Sequence, residues 1–284
     1  MKSYLEISIS STEAQRELLI PTMIELGSIG FQETDSELLC FFEKSNWNET
    51  TGEILKSEIR KLLQTISANA AIGFREFNEE NWNAQWEQSL QAIEIGERLV
   101  VKPSWCSYEN KQQRIVIEID PKMSFGTGYH ETTRLTLGLI EKYVTAGANI
   151  LDVGTGTGIL AIASVKLGAS HATGIDTDEW SIENASENVL RNHVEGRVII
   201  SSQPLSQFSS SSFNLLCANL TLNTNLEYLD EFKRVLLPNG ILLLSGLLAH
   251  DRKQMLEGLS STRFSVIDEG TENEWIALAG QSAS

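Results

Sequence analysis

The chain has 284 residues, enough for two domains, and its 22 basic and 38 acidic residues give a formal net charge of −16. Hydrophobic residues make up 41% of the chain and charged residues 21%, which argues for a sizeable core and against general disorder. No segment approaches the roughly 18 consecutive apolar residues of a membrane helix. The acidic balance argues against non-specific binding to nucleic acid, which needs Lys and Arg at phosphates.

The three cysteines, Cys40, Cys106 and Cys217, are widely spaced and form no CxxC pair, and the four histidines form no HExxH motif. We therefore expect neither a disulfide framework nor a metal site, and a reducing, cytoplasmic compartment. The first residues alternate between polar and apolar as in a strand, so they do not resemble a signal peptide.

The N-terminal part predicts a small domain of mixed structure over residues 1–73. Residues 3–9 alternate as a half-buried strand, and residues 16–26 predict a helix that ends at Gly27. Two short strands follow, and residues 53–71 have the apolar spacing of a second helix. The order β-α-β-β-α predicts an α+β domain with a ferredoxin-like arrangement and no catalytic constellation.

Residues 74–97 predict a connecting linker. They contain 1 basic and 6 acidic residues, so this is the most acidic part of the chain. Trp82, Trp86 and Leu90 are spaced four residues apart, which places them on one face of a linker helix. An ordinary packing role for these tryptophans is favoured over stacking on a ligand.

Residues 98–284 predict a larger α/β domain. Short apolar strands alternate with amphipathic helices, a pattern typical of a Rossmann-like, mostly parallel sheet with helices on both faces. The last two strands, FSVID and EWIALAG, are joined by a short turn and predict an antiparallel pair at an edge.

The glycine turn after the strand ILDV is the first chemical signal. Gly154, Gly156 and Gly158 follow the spacing GxGxG, and glycine is required where φ is positive or a ligand approaches closely. The GxGxxG spacing suits a pyrophosphate at a helix N-terminus, whereas GxGxG is typical of enzymes that bind S-adenosylmethionine, which has no phosphate. The alternative is a tight turn without a ligand.

Two polar residues end neighbouring strands of the predicted sheet, where open α/β sheets bind ligands. Asp176 is placed to accept hydrogen bonds from ribose hydroxyls; the alternative is a helix cap, a role that Asp178 fits better. Asn219 is placed to accept a hydrogen bond from an incoming amine and so orient its lone pair. The alternative for Asn219 is an ordinary turn residue.

Residues 120–133 combine a Gly-x-Gly, an aromatic residue and two threonines, which predicts a lid over the ligand. His130 in this segment is either a base or a structural residue. Thr132 or Thr133 is expected to cap the following helix as well as to contact ligand.

Several of these motifs occur together in one known family. The chain resembles the PrmA family of ribosomal protein L11 (L-eleven) methyltransferases over nearly its whole length. The segments that carry the resemblance are NWNAQWEQSLQAIEIGERLVVKPSW, MSFGTGYHETT, ILDVGTGTGILAIASVKLGA and GIDTDEWSIENASENV.

The resemblance implies a class I S-adenosylmethionine-dependent methyltransferase that methylates lysine side chains and the α-amine of L11. It also implies that the N-terminal domain recognises L11 and that a flexible linker reorients it. The implied cofactor contacts are Thr133, Gly154, Asp176 and Asn219, together with Gly156 and the loop Phe125, Gly126 and Thr127 over the methionine end. We further expect a monomer that does not bind nucleic acid directly.

Three other interpretations remain open at this point. The first is a methyltransferase of the same fold that acts on another protein, a small molecule or RNA. A glutamine enzyme would be expected to have NPPY where this chain has NLTL, at 219–222. The second is a binding module without activity. The third is a nicotinamide dehydrogenase, which the absence of GxGxxG at the glycine turn argues against.

Overall fold

The computed structural model divides the chain into two compact units, Met1–Trp82 and Asn83–Ser284. Among the described residues no helix has both the length and the apolar character needed to cross a membrane. The described residues are 3–34, 36–44, 57, 59–61, 71–78, 90–120, 122 and 124–283.

The first unit is built on an antiparallel sheet. Its elements are β1 (Ser3–Ser10), α1 (Glu13–Glu25), β2 (Gly30–Glu33), β3 (Glu37–Glu43) and β4 (Ile72–Asn78). The strand order is β2-β3-β1-β4, with every neighbouring pair antiparallel. The inward residues of β1 are fully or nearly fully buried, because the side chains of a strand alternate between its two faces. The predicted α+β character is confirmed, while the predicted helix over 53–71 lies largely outside the described residues.

The predicted boundary at residue 73 was wrong. β4 continues to Asn78 and pairs with β1 along its whole length, with Ile7 opposite Phe74 and Ser3 opposite Asn78. Residues 74–78 are therefore strand and not linker. Residues Ile93–Ile95, near the far end of the predicted linker, also form a strand, β5. The linker helix with Trp82 and Trp86 lies outside the described residues.

A small three-stranded sheet opens the described part of the second unit. Its strands are β5 (Ile93–Ile95), β6 (Leu99–Lys102) and β7 (Ile115–Glu118). β5 pairs antiparallel with β6, and β6 pairs parallel with β7. Leu99, Val101 and Ile117 are buried in the same core as the helices that follow, so this sheet is part of the second unit's packing.

The main sheet of the second unit has seven strands in the order β10-β9-β8-β11-β12-β14-β13. In chain order these are β8 (Asn149–Val153), β9 (His171–Ile175), β10 (Val198–Ser201), β11 (Phe213–Asn219), β12 (Leu236–Leu248), β13 (Phe264–Glu272) and β14 (Trp275–Ser282). β8 to β12 pair in parallel, and β14 is antiparallel to both β12 and β13. The predicted parallel-dominated sheet with a late antiparallel pair is confirmed.

Helices cover both faces of this sheet. They are α2 (Glu131–Tyr143), α3 (Ile159–Lys166), α4 (Glu179–Arg191), α5 (Leu222–Val235) and α6 (Arg252–Ser261). Neighbouring residues of β8 face opposite cores: Ile150 packs with residues of α2 and α3, and Leu151 with residues of α5 and α6. Because both faces are buried, these strands are continuously apolar. The carboxyl ends of β8, β9 and β11 meet at one edge.

Candidate active site

The glycine turn lies between β8 and α3. Gly154, Gly156 and Gly158 have φ angles of +73°, +54° and +81°, in a region that residues with a Cβ rarely adopt. A Cβ on Gly156 would lie 2.3 Å from the carbonyl oxygen of Phe125, and one on Gly154 would lie 2.5 Å from a methyl carbon of Leu220. The turn therefore requires glycine both for its conformation and for the space around it.

The Asp176 carboxylate follows directly after β9 and is held against this turn. Oδ2 accepts the backbone N–H of Gly156 at 2.9 Å, and Oδ1 accepts those of Thr177 and Asp178 at 2.8 and 3.1 Å. A carboxylate offers about four acceptor positions, so Asp176 retains the capacity to accept from a ligand. The helix cap is Asp178, whose Oδ2 accepts the N–H of Ser181 at 3.1 Å, as the sequence predicted.

The loop predicted to form a lid contacts the glycine turn directly. The Thr157 N–H donates to the carbonyl oxygen of Phe125 at 2.9 Å, and its hydroxyl donates to the carbonyl oxygen of Gly126 at 2.5 Å. The Phe125 side chain is 53% exposed, and Thr127 accepts the N–H of Tyr129 at 3.3 Å. Two segments that the sequence singled out separately are thus brought together at one edge of the sheet.

Asn219 ends β11 beside the glycine turn, because β11 pairs parallel with β8 up to Ala218 and Val153. Its Nδ2 donates to Oγ1 of Thr132 at 3.1 Å. The Thr132 hydroxyl in turn lies 2.8 Å from Nδ1 of His130. The amide of Asn219 is therefore linked to the first turn of α2.

The cap of α2 is His130, whose Nδ1 accepts the N–H of Thr132. The expectation that Thr132 or Thr133 caps this helix was wrong, because both residues already lie inside its first turn. The Thr133 side chain is buried, and its hydroxyl has no hydrogen-bond partner among the described residues. A buried hydroxyl without a partner costs free energy, so a ligand that satisfied it would gain affinity.

Two aromatic rings pack against His130 in this linkage. The ring centroid of His130 is 5.2 Å from that of Phe125 and 4.9 Å from that of Trp275, the latter in an edge arrangement. Arg134 holds the same region from α2, donating to the carbonyl oxygen of Tyr129 and to the Glu272 carboxylate. The lid is therefore fixed to the turn between β13 and β14, a connection that the sequence did not reveal.

A fully buried carboxyl lies beneath the glycine turn. Burial, with a smaller contribution from the neighbouring Asp176, raises the pKa of Asp152 to about 7, against hydrogen bonds that lower it. Those bonds come from the Thr155 hydroxyl at 2.6 Å and the Ala161 N–H at 3.3 Å, both to Oδ2. The other oxygen, Oδ1, has no partner among the described residues.

Two asparagines hydrogen-bond the segment that leads into the lid, Asn188 of α4 and Asn192 at the C-cap of that helix, and sequence reasoning missed them. Asn188 donates to the carbonyl oxygen of Thr157 at 3.0 Å and accepts the N–H of Asp120 at 3.1 Å. Asn192, one turn later, accepts the N–H of Glu118 at 3.0 Å. Their spacing of four residues was the available signal, since it places them on one face of the helix.

These residues fit a nucleoside cofactor without phosphate. A Cβ would fill the space at two of the glycines, the Thr133 hydroxyl lacks a partner, and the Asp176 carboxylate retains acceptor capacity. Carboxylates accept hydrogen bonds and would repel a phosphate in the same position. This set of groups therefore suits the ribose and the sulfonium of S-adenosylmethionine better than a dinucleotide.

Comparisons with known proteins show the family of the chain. The family model for ribosomal protein L11 methyltransferase (PrmA) matches residues 3–283. A ribosomal protein L11 methyltransferase of Chlorobaculum tepidum is 34% identical over 279 residues, 97% of this chain and 95% of the relative. One of Desulforapulum autotrophicum is 33% identical over 234 residues, 82% of this chain and 77% of the relative.

A solved structure has the same fold. The crystal structure of ribosomal protein L11 methylase from Lactobacillus delbrueckii subsp. bulgaricus is similar with a TM-score of 0.64 and 27% identity, covering 68% of this chain and 100% of that one. The chain therefore belongs to the PrmA family of ribosomal protein L11 methyltransferases, S-adenosylmethionine-dependent enzymes with a class I methyltransferase fold.

Proposed function

We propose that this enzyme transfers methyl groups from S-adenosylmethionine to amines of the large-subunit ribosomal protein L11, namely lysine side chains and the α-amine. The names of the relatives support L11 as the substrate. The observation that carries the amine assignment is the fixed amide of Asn219, whose nitrogen is engaged by Thr132 beside the glycine turn. Its oxygen is thereby left to accept from an incoming amine.

The cofactor would be held at the carboxyl edge of the main sheet. Asp176 would accept from the ribose hydroxyls, and the turn at Gly154 and Gly156 would admit the nucleoside close to the backbone. Thr133 would supply a hydroxyl that the protein itself leaves without a partner. The loop Phe125–Thr127 would cover the methionine end. When bound, the sulfonium supplies an activated methyl group.

The residues around Asn219 need only orient a neutral amine. A lysine side chain has an ordinary pKa of about 10.4, so most of it is protonated in neutral solution. Entry beside the Phe125 and Trp275 rings, which pack against His130, would desolvate the ammonium group and lower its pKa, so that solvent can take the proton. The Asn219 oxygen would then accept an amine hydrogen and direct the nitrogen lone pair away from itself.

The overall charge of −16 suits a basic protein substrate, chiefly by accelerating encounter. The unit Met1–Trp82, with its apolar core and no catalytic cluster among its described residues, would recognise L11, and the linker would reorient it. We further propose that the enzyme acts as a monomer in the cytoplasm and does not bind nucleic acid directly.

The test is methyl transfer from S-adenosylmethionine to purified L11, followed by mass spectrometry of the product. We expect wild type to add methyl groups to lysines and the α-amine, and Asn219→Ala to reduce turnover at least tenfold with S-adenosylmethionine bound. Asn214→Ala, near the other end of the same strand, serves as the control. Absence of methylated L11 with active cofactor binding would reject the substrate, and unchanged turnover by Asn219→Ala would reject the amine role.

A further inference from the structure

The hydrogen on the His130 ring can be located from its contacts. A neutral imidazole has one nitrogen that donates and one that accepts. Nδ1 of His130 accepts the backbone N–H of Thr132 at 3.3 Å, so it carries no hydrogen. The same nitrogen lies 2.8 Å from Oγ1 of Thr132, which is a hydrogen-bond distance. Because Nδ1 carries no hydrogen, the hydroxyl must be the donor.

This arrangement determines the orientation of the Asn219 amide. The Thr132 hydroxyl has a single hydrogen, which it donates to His130, so towards Asn219 it can only accept. The amide group 3.1 Å away must therefore present its nitrogen, Nδ2. The oxygen points away from Thr132, and the described residues supply no donor to it.

We propose that His130 and Thr132 are positioning residues that fix the Asn219 amide with its oxygen towards the substrate amine. The inference rests on the proposed function, because it takes Asn219 as the acceptor of that amine. A reversed amide would present N–H groups to an amine that must itself donate, and the lone pair of the amine would then be drawn towards Asn219 and away from the methyl group.

The surroundings hold the histidine in place for this role. Its ring packs against Phe125 and Trp275, and Nδ1 accepts from the backbone N–H and the hydroxyl of Thr132. The position of the ring is thus determined by the lid, the first turn of α2 and the start of β14.

The same helix offers a matched control. Thr132→Val removes the hydroxyl of the linkage and preserves the shape of the side chain and the backbone N–H of the cap. Thr136→Val removes a second buried hydroxyl one turn later, which donates only to the carbonyl oxygen of Thr132 at 2.7 Å. Thr132→Val loses the hydrogen bonds of its hydroxyl to His130 and Asn219, whereas Thr136→Val loses one hydrogen bond within α2. Only the first variant therefore breaks the linkage to Asn219.

The experiment measures turnover with L11, the dissociation constant of S-adenosylmethionine by calorimetry, and the melting temperature. We expect Thr132→Val to lose at least tenfold in kcat with cofactor affinity within threefold of wild type, and Thr136→Val to keep its kcat. Thr132→Ser restores the hydroxyl and should recover most of the turnover. His130→Asn, which can cap and accept, should retain more turnover than His130→Ala.

Three results would overturn the proposal. One is equal turnover by Thr132→Val and Thr136→Val while Asn219→Ala is impaired, which leaves the proposed function intact. Another is normal turnover by Asn219→Ala, which removes the amine role and this inference with it. Loss of cofactor affinity by Thr132→Val in proportion to its loss of kcat also contradicts the proposal, because it indicates a binding role.

Discussion

The two units bury different kinds of residue. Among the described residues of the first unit, Arg16 is the only buried polar side chain, and the core is otherwise apolar. The second unit buries many polar side chains: Thr132, Thr133, Thr136, Asp152, Thr155, Thr157, Ser164, Ser181, Asn184, Asn188, Asn192, Asn225, Ser245 and Ser282. Buried polar groups cost free energy unless they are paired.

Many of these polar groups are bonded to the glycine turn, to the lid or to the strand and helix ends beside them. Thr157 donates to the backbone of the lid, and Asn188 donates to the carbonyl oxygen of Thr157. Thr132 accepts a hydrogen bond from the amide of Asn219. The first unit shows no comparable set in the residues described. The comparison teaches that buried polar side chains in this protein concentrate around the glycine turn and the lid, whereas the described core of the first unit is held by apolar packing.

The largest effect is expected at Asp176, the proposed ribose contact. Asp176→Ala should weaken S-adenosylmethionine binding at least 100-fold by calorimetry, because it removes charged acceptors and releases the Gly156 N–H. Asp178→Ala is the control two residues later. It removes only a helix cap, which costs about 1 kcal/mol of stability, and should leave cofactor affinity unchanged. Equal affinities in the two variants would contradict the assignment.

The glycine turn should be the next most sensitive position. Gly156→Ala places a Cβ against the Phe125 carbonyl oxygen and should weaken cofactor binding at least tenfold in titrations. Gly147→Ala also acts at positive φ, +81°, but meets no atom within 4 Å. It should cost roughly 1–2 kcal/mol in thermal unfolding, with normal cofactor affinity. A similar loss of affinity in both variants would show that backbone strain alone, rather than contact with the lid, is responsible.

The buried Asp152 carboxyl should make the free energy of unfolding fall as pH rises, the reverse of the usual effect of an aspartate. Its pKa is raised to about 7, so the stability that it contributes is complete below the unfolded pKa of about 3.9 and is lost as pH rises through 7. A pKa difference of about three units between the folded and unfolded states corresponds to about 4 kcal/mol of unfolding free energy. The stability of Asp152→Asn relative to wild type should therefore rise between pH 4.5 and 8, as measured by denaturant unfolding.

Asp268→Asn is the control for the Asp152→Asn measurements, because its effect on stability should change with pH in the opposite direction. The hydrogen bond from Lys142 lowers the pKa of Asp268, so its contribution is present above the unfolded pKa and is lost as pH falls. This variant should be less stable than wild type at pH 8, and the difference should shrink in acid. A pH-independent difference for Asp152→Asn would reject the buried, protonated carboxyl.

The smallest effect is expected in the first unit. Ile7→Val in the fully buried centre of β1 should cost about 1 kcal/mol in unfolding free energy, because it deletes one methylene group. Cofactor affinity, measured by calorimetry, should not change. A shift in affinity would show that the apolar unit also determines the geometry of the cofactor site.

The strongest sequence signals were those with local physical causes. The glycine spacing after an apolar run determined the turn, and the polar ends of two strands predicted the positions of Asp176 and Asn219. The end of β4 was missed because its residues Arg75 and Glu76 resemble a polar linker. β5 has only three residues, too few to show a period.

The contacts between distant segments were not predictable from one sequence. Asn188 and Asn192 resemble residues of a solvated helix face, and only the tertiary fold brings them to backbone groups 68 and 74 residues away. The cap by His130 was missed because Thr is the more usual capping residue. Thr132, which donates to His130, accepts from Asn219, 87 positions later in the chain.

The most direct test of the central claim is a crystal structure of the enzyme with S-adenosylhomocysteine. We predict that the nucleoside lies at the glycine turn, with its ribose hydroxyls on the Asp176 carboxylate and its sulfur facing Asn219. A nucleoside bound elsewhere, or a ribose that makes no contact with Asp176, would contradict the account.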